Sequence, residues 1–171
     1  PAFPRIVNPA GRQLQPSRPG TLSSGRRSQL ADWLTQPDHP LTSRVMVNRI
    51  WQYHFGRGLV ETPSDFGVMG QSPSHPELLD YLATELITNG WSLKRLHFLI
   101  VTSATYRQAG WLKPGVAGER VWRESLDVDP ANRWLSRFPR RRLEGEVLRD
   151  AMLASAGVLN TQRGGPGVRP P

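Results

Sequence analysis

A chain of 171 residues is long enough for one domain with a real core and too short for a second compact domain beside it. The absence of cysteine excludes disulfides, thiolate catalysis and thiolate metal sites. The net charge of +8 is almost wholly arginine, since only Lys94 and Lys113 of the 22 basic residues are lysine. Nucleic acid, an anionic polysaccharide or internal ion pairs could use that excess, and a biased genome composition would produce it without any partner.

No apolar run approaches the roughly 18 residues of a membrane helix. No signal peptide is visible, and a start at Pro1 reads as an excised fragment. Residues 1–23 hold several prolines and no periodic apolar face, as expected of an extended arm or linker lying on the domain or leading into it. Residues 24–160 read as a single α-helical domain. The tail, 161–171, is flexible in composition.

Within the domain, the first helix is expected over about Arg26 to Thr35, capped by Ser23 or Ser24, with Leu30, Trp33 and Leu34 on its apolar stripe. Pro37 and Pro40 break it. The central helix follows, with Leu41, Val45, Met46, Ile50 and Phe55 at helical spacing, Thr42 or Ser43 as cap and Gly56 as stop. A polar loop then carries Arg57, Glu61, Asp65 and Phe66 up to Gly67. Ser74 and Glu77 form a capping-box pattern around Pro76, ahead of a helix that ends at Asn89-Gly90. Ser92 caps the next, which buries Leu93, Leu96, Leu99, Ile100 and Ala104. Gly110 to Val121 reads as a loop, with a short helical turn around Glu119 to Glu124. Asp129 to Asn132 reads as the start of a short capped helix carrying Trp134 and Leu135. Leu143 to Ser155 is a further strong helix with Val147, Leu148, Ala151 and Met152 on one face. No long period-two alternation occurs. The expected fold is mainly α: about five helices joined by long irregular loops, with flexible Pro/Gly-rich ends.

Two groups of residues are candidates for chemistry. Asn48, Arg49, His54, Asp65, His75 and Arg107 could line a polar cleft, with Asp65 and His54 or His75 acting as acid and base. The simpler reading is a buried ion-pair network in which Asp65 balances Arg49 or Arg107, because a buried guanidinium requires a partner. The two histidines would then make local hydrogen bonds. The second group, Trp134, Arg137, Arg140, Arg141 and Arg142, has the basic and aromatic character of a polyanion site, although Glu144, Glu146 and Asp150 follow directly. His39, His54, His75 and His97 fall on different elements, which leads to the expectation of no metal site. No phosphate loop, nucleophile elbow or haem-attachment motif is present.

The runs LADWLTQPDHPLTSRVMVNRIWQYHFGRGLVETPSDFG, PSHPELLDYLATELITNGWSLKRLHFLIVTSATYRQ and RRRLEGEVLRDAMLASAGVLN, in that order, resemble a planctomycete-type domain of unknown function. The likeness covers roughly Arg27 to Gly165. Matching positions include Asn48, Arg49, Trp51, Phe55, Gly56, Asp65, Phe66, Gly67, His75, Pro76, Gly90, Trp91, Tyr106 and Arg107. That family follows a cytochrome-c-like domain in large exported proteins. The resemblance therefore implies an exported, periplasmic or cell-surface location, other domains of the parent protein as partners, and any haem in another domain, with no cofactor in this chain. It also implies that residues 161–171 are a truncated continuation of the domain. It supplies no catalytic residues. The resulting expectation is a non-catalytic interaction or scaffolding module. One alternative is a hydrolase or glycan-active domain using Asp65 with His54 or His75, and another is an arginine-based binder of nucleic acid or another anionic polymer.

Overall fold

The computed structural model describes residues 4, 7, 8, 11–13, 15, 23–162 and 164. Most of the expected arm and tail lies outside these residues. The described residues form six helices and no β-strand, so the fold is mainly α as expected: α1 (Arg26–Leu34), α2 (Thr42–Phe55), α3 (Pro76–Thr88), α4 (Leu93–Thr102), α5 (Glu119–Val128) and α6 (Gly145–Ser155). The chain divides into two compact units, Pro1–Pro139 and Arg140–Pro171.

In the first unit α2 packs on α3 and α3 on α4. Each helix contributes one apolar stripe: Val47, Ile50, Trp51 and Phe55 from α2, Leu79, Leu82, Ala83 and Leu86 from α3, and Leu96 and Ile100 from α4. Leu59 and Val60, from the loop after α2, complete this core. The arm is tied down where it is described. Gln15 exchanges two hydrogen bonds with Gln29 of α1, and Arg12 pairs with Asp38 at 3.3 Å.

The helix ends show where local sequence decides. Gly56, at φ 83°, closes α2 by donating to the Gln52 carbonyl. α3 ends in a Schellman motif: Gly90 N–H bonds the Ile87 carbonyl, and Trp91 N–H bonds that of Leu86. Ser92 caps α4 by accepting from Arg95 N–H. Three expected caps do not form: α2 starts from Leu41 with Thr42 and Ser43 already inside the helix, and the caps of α1 and α3 fail as well. α1 starts from Gly25 in the left-handed region, and Ser23 Oγ accepts from Gly25 N–H instead. α3 starts from His75 without a side-chain cap, and Ser74 Oγ bonds the His75 ring at 3.0 Å. The Ser74 backbone N–H is held by the Leu59 carbonyl at 2.8 Å, so this residue ties the loop to the core.

Two segments differ in class. α5 runs ten residues where a single turn was expected, supported by Glu119–Arg123 and Arg120–Glu124 pairs at helical spacing. Residues 129–138 form an irregular knot in place of the expected short helix, because Asn132 and Leu135 take φ of 51° and 54°, outside the helical region. In the second unit α6 forms as expected. Its apolar residues Val147, Leu148 and Met152 are exposed, and no described residue from Arg140 onward is buried.

Among the described residues, Asn48 is the one polar side chain buried completely. Its Oδ1 accepts from Val60 N–H at 2.8 Å and its Nδ2 donates to the Val60 carbonyl at 3.0 Å. Removing it orphans two buried backbone groups at about 1–3 kcal/mol each. Asn48→Ala and the nearly isosteric Asn48→Leu should each lower stability in urea denaturation by at least about 2 kcal/mol, with the leucine variant showing that lost hydrogen bonds, not lost volume, cause the effect.

Candidate functional site

The loop between α2 and α3 is built in two stages. In the first, Gly58-Leu59-Val60 runs against α2, and Leu59 and Val60 enter the core while Asn48 clamps Val60. Gly58 is required there: a Cβ would stand 2.6 Å from the Val60 carbonyl oxygen and within 2.8 Å of both polar atoms of Asn48. In the second stage Thr62 organises the loop. Its hydroxyl donates to the Asp65 carbonyl at 2.8 Å and accepts from Gln71 N–H at 3.0 Å. Asp65 Oδ1 accepts from Gly67 N–H at 3.1 Å, and Gly70 N–H closes a turn on the Gly67 carbonyl. A Cβ on Gly70 would collide with the Asp65 carbonyl. Val68 and Met69 stand at the tip of this braced loop, 97% and 88% exposed.

Beside the first stage lies a cavity of about 160 Å³. Trp51, Phe55 and Leu59 line it on one side and Ala131, Leu135 and Pro139 on the other, with Arg57, Glu61 and Arg133 supplying charge. The wall formed by residues 129–139 is fixed by buried polar groups. Arg137 is buried, and its guanidinium donates to the carbonyls of Ser125, Asp129 and Pro130 at 3.2, 2.8 and 2.8 Å. Asn132 donates to the Arg137 carbonyl and accepts from its N–H. Asp129 accepts from the N–H groups of Arg133 and Trp134, both at 2.8 Å. Burial pushes the Asp129 carboxyl pKa upward. The two amide bonds and the positive charges of Arg137 and Arg57 outweigh it and hold the pKa below its ordinary value. Arg57 joins this wall to the α2 loop by donating to the Ala131 carbonyl at 2.8 Å while pairing with Glu61.

The residues of the expected polar cleft do not converge. Asn48 is in the core, whereas Arg49 and Arg107 are exposed, and among the described residues no ion pair joins either to Asp65. Asp65 serves its own turn. His75 bonds Ser74. His54 Nε2 lies 2.8 Å from His97 Nδ1, across α2 and α4, with its ring edge-on to Tyr106. None of Asp65, His54 and His75 lines the cavity. Among the described residues no group of three or more His, Cys, Asp or Glu side chains is placed to hold a metal. Of the expected polyanion group, Arg137 is consumed by backbone carbonyls in the first unit, where Trp134 is exposed, while Arg140, Arg141 and Arg142 are exposed in the second.

His39 carries a role that its sequence position did not specify. It is buried, stands edge-on to Trp33 at 4.6 Å between centroids, and its Nδ1 accepts from the N–H groups of Leu41 and Thr42 at 3.3 and 3.2 Å. It thus caps α2 from outside the helix, where Leu41 has no side-chain acceptor to offer. Accepting at Nδ1 places the proton on Nε2, which is buried without a hydrogen-bond partner. The only hint in the sequence was a histidine between two prolines just ahead of the helix.

Burial lowers the His39 pKa below 6.5, against the opposing pull of Asp38. A proton on Nδ1 would also remove the cap. The unfolded chain therefore binds the proton first, so stability is complete above about pH 6.5 and declines as pH falls below it toward the lower folded value. Melting temperatures should drop as pH falls below about 6.5, and His39→Asn, which keeps an acceptor without a titrating ring, should flatten that drop. For Asp65, one exposed turn hydrogen bond is at stake and, among the described residues, no ion pair. Asp65→Ala should cost about 1 kcal/mol in thermal melting, well short of the ~3–5 kcal/mol of a broken buried pair.

No helix among the described residues is long and apolar enough to cross a membrane. Comparison with curated proteins and with solved structures gave no match. A family model described as "PSD1: Protein of unknown function (DUF1553)" matches residues 26–171, from the start of α1 through α6 and beyond. With most of its length matched, the chain belongs to the PSD1 family of proteins of unknown function.

Proposed function

We propose that this chain is a non-catalytic interaction or scaffolding module of a larger exported protein, and that the loop between α2 and α3 is its contact element. The observation that carries this reading is the tip of that loop, where two apolar side chains stand almost wholly in water on a backbone braced by Thr62, Asp65 and Gly70. Exposing two neighbouring apolar side chains forfeits burial free energy of about 1.5–3 kcal/mol each. A braced loop that displays them stores that free energy for a contact and has little ordering entropy left to lose on binding. The polar residues of the same region support the reading too, since Asn48, Asp65, Asn132 and Arg137 are engaged with backbone groups. The exported setting is part of the proposal and comes from the family resemblance.

Methionine oxidation tests the contact. Exposed Met69 in the isolated chain should be converted readily to its sulfoxide by peroxide. In the longer parent protein the same residue should react more slowly, read by mass spectrometry after brief exposure. Equal rates in the two would overturn the reading. So would hydrolysis of a glycan by the chain that is abolished in Asp65→Asn at an unchanged melting temperature.

A further inference from the structure

The loop tip and the cavity are complementary in three respects. The first is size. A cavity near 150 Å³ lined by apolar side chains holds a benzene-sized group. The cavity beside α2, at about 160 Å³, has Trp51, Phe55, Leu59 and Leu135 on its apolar walls and Ser74, Asn132 and the charged groups of Arg57, Glu61 and Arg133 on the others. Its volume admits a methionine side chain, which is unbranched and adapts to irregular gaps. The second is charge. The tip turn carries the carboxylate of Asp65 and no basic residue, while Glu61 lies at the cavity in a pair with Arg57. Exposed Arg133 stands beside the cavity, where Arg57 is balanced by Glu61. The third is rigidity on both sides, from the Thr62–Asp65–Gly70 brace under the tip and from Asp129, Asn132 and Arg137 behind the cavity wall.

Tip and cavity belong to one chain, yet the exposure of Val68 and Met69 shows that they do not meet within one copy. We infer that the tip of one copy seats in the cavity of a second copy, Met69 entering between Trp51 and Leu135 and the acidic loop facing Arg133. The contact joins two different surfaces, so it propagates head to tail or closes into a ring. The inference rests on the reading of this chain as an interaction module and names its partner.

Sedimentation velocity on the 171-residue chain, from low to high micromolar concentration, provides the test. Association should rise with concentration. Met69→Asp removes the apolar tip and Ala131→Phe fills the cavity. Both positions are exposed, and each variant should melt at the wild-type temperature while its association weakens by about tenfold or more. A mixture of the two variants retains one intact tip and one intact cavity, and should form a one-to-one dimer that grows no further. A wild-type chain that stays monomeric over the whole range overturns the inference, as does association that either variant leaves intact. If Met69 is shielded from peroxide in the parent protein while the chain remains monomeric, the second copy is excluded and the interaction module stands. If Met69 is also unshielded, both fall.

Discussion

The carboxamide of Asn48 governs the arrangement of the first unit. A core built from α2, α3 and α4 supplies apolar surface but has no way to satisfy an irregular backbone that enters it, and Leu59-Val60 is such a backbone. Asparagine offers a donor and an acceptor on one planar group, and here they meet the carbonyl and N–H of a single residue, Val60. The clamp lets two apolar loop residues fill the core with their peptide groups paired. It also fixes where the chain leaves, so that Ser74 N–H finds the Leu59 carbonyl and α3 begins one residue beyond His75. Gly58 has to stay bare for the same reason, since a side chain there would occupy the space of the carboxamide.

The knot at residues 129–138 solves a similar problem with different groups. Positive φ at Asn132 and Leu135 leaves carbonyls and N–H groups that no helix ladder will satisfy. Arg137 gathers three carbonyls, Asp129 two N–H groups, and Asn132 exchanges bonds with the backbone of Arg137. A buried guanidinium is tolerated because five fixed donors suit a cluster of carbonyl oxygens and because Asp129 lies close enough to feel its charge. At least one residue of the arginine excess is therefore structural.

The legible and the illegible parts of this sequence divide along a physical line. α2, α3, α4 and α6 could be read from apolar periodicity, and Gly56, Asn89-Gly90 and Ser92 marked their ends correctly, because each signal is local to a few residues. The clamp of Asn48 on Val60 spans twelve positions, Arg57 reaches Ala131 across seventy-four, and His54 meets His97 across forty-three. No periodicity encodes such pairings. In the sequence the charge of Asp65 invites pairing with an arginine, but a short carboxylate two residues ahead of a glycine N–H closes its own turn first. Ser74 stands in a capping-box pattern with Glu77, and the histidine beside it takes the hydroxyl instead. The cavity combines the end of α2 with a knot that read as a helix, so no sequence pattern outlined it.

On the proposed reading of this chain as an interaction module, the distribution of apolar surface is what connects the fold to that role. Twelve buried residues form the core of the first unit, yet Val68, Met69, Tyr53 and Phe98 are left more than half exposed there. Scattered apolar residues on a surface need no explanation. Two adjacent ones on a braced loop tip are different, because the hydrogen bonds and the bare glycine beneath them fix their display. The second unit shows the same imbalance. α6 spans eleven residues, a length at which an isolated helix is marginal in water, and its stripe of Val147, Leu148 and Met152 is exposed. Helices in proteins gain most of their stability from packing such a stripe. Apolar cover on that stripe would therefore stabilise α6, just as cover on the loop tip would recover the burial that Val68 and Met69 forgo.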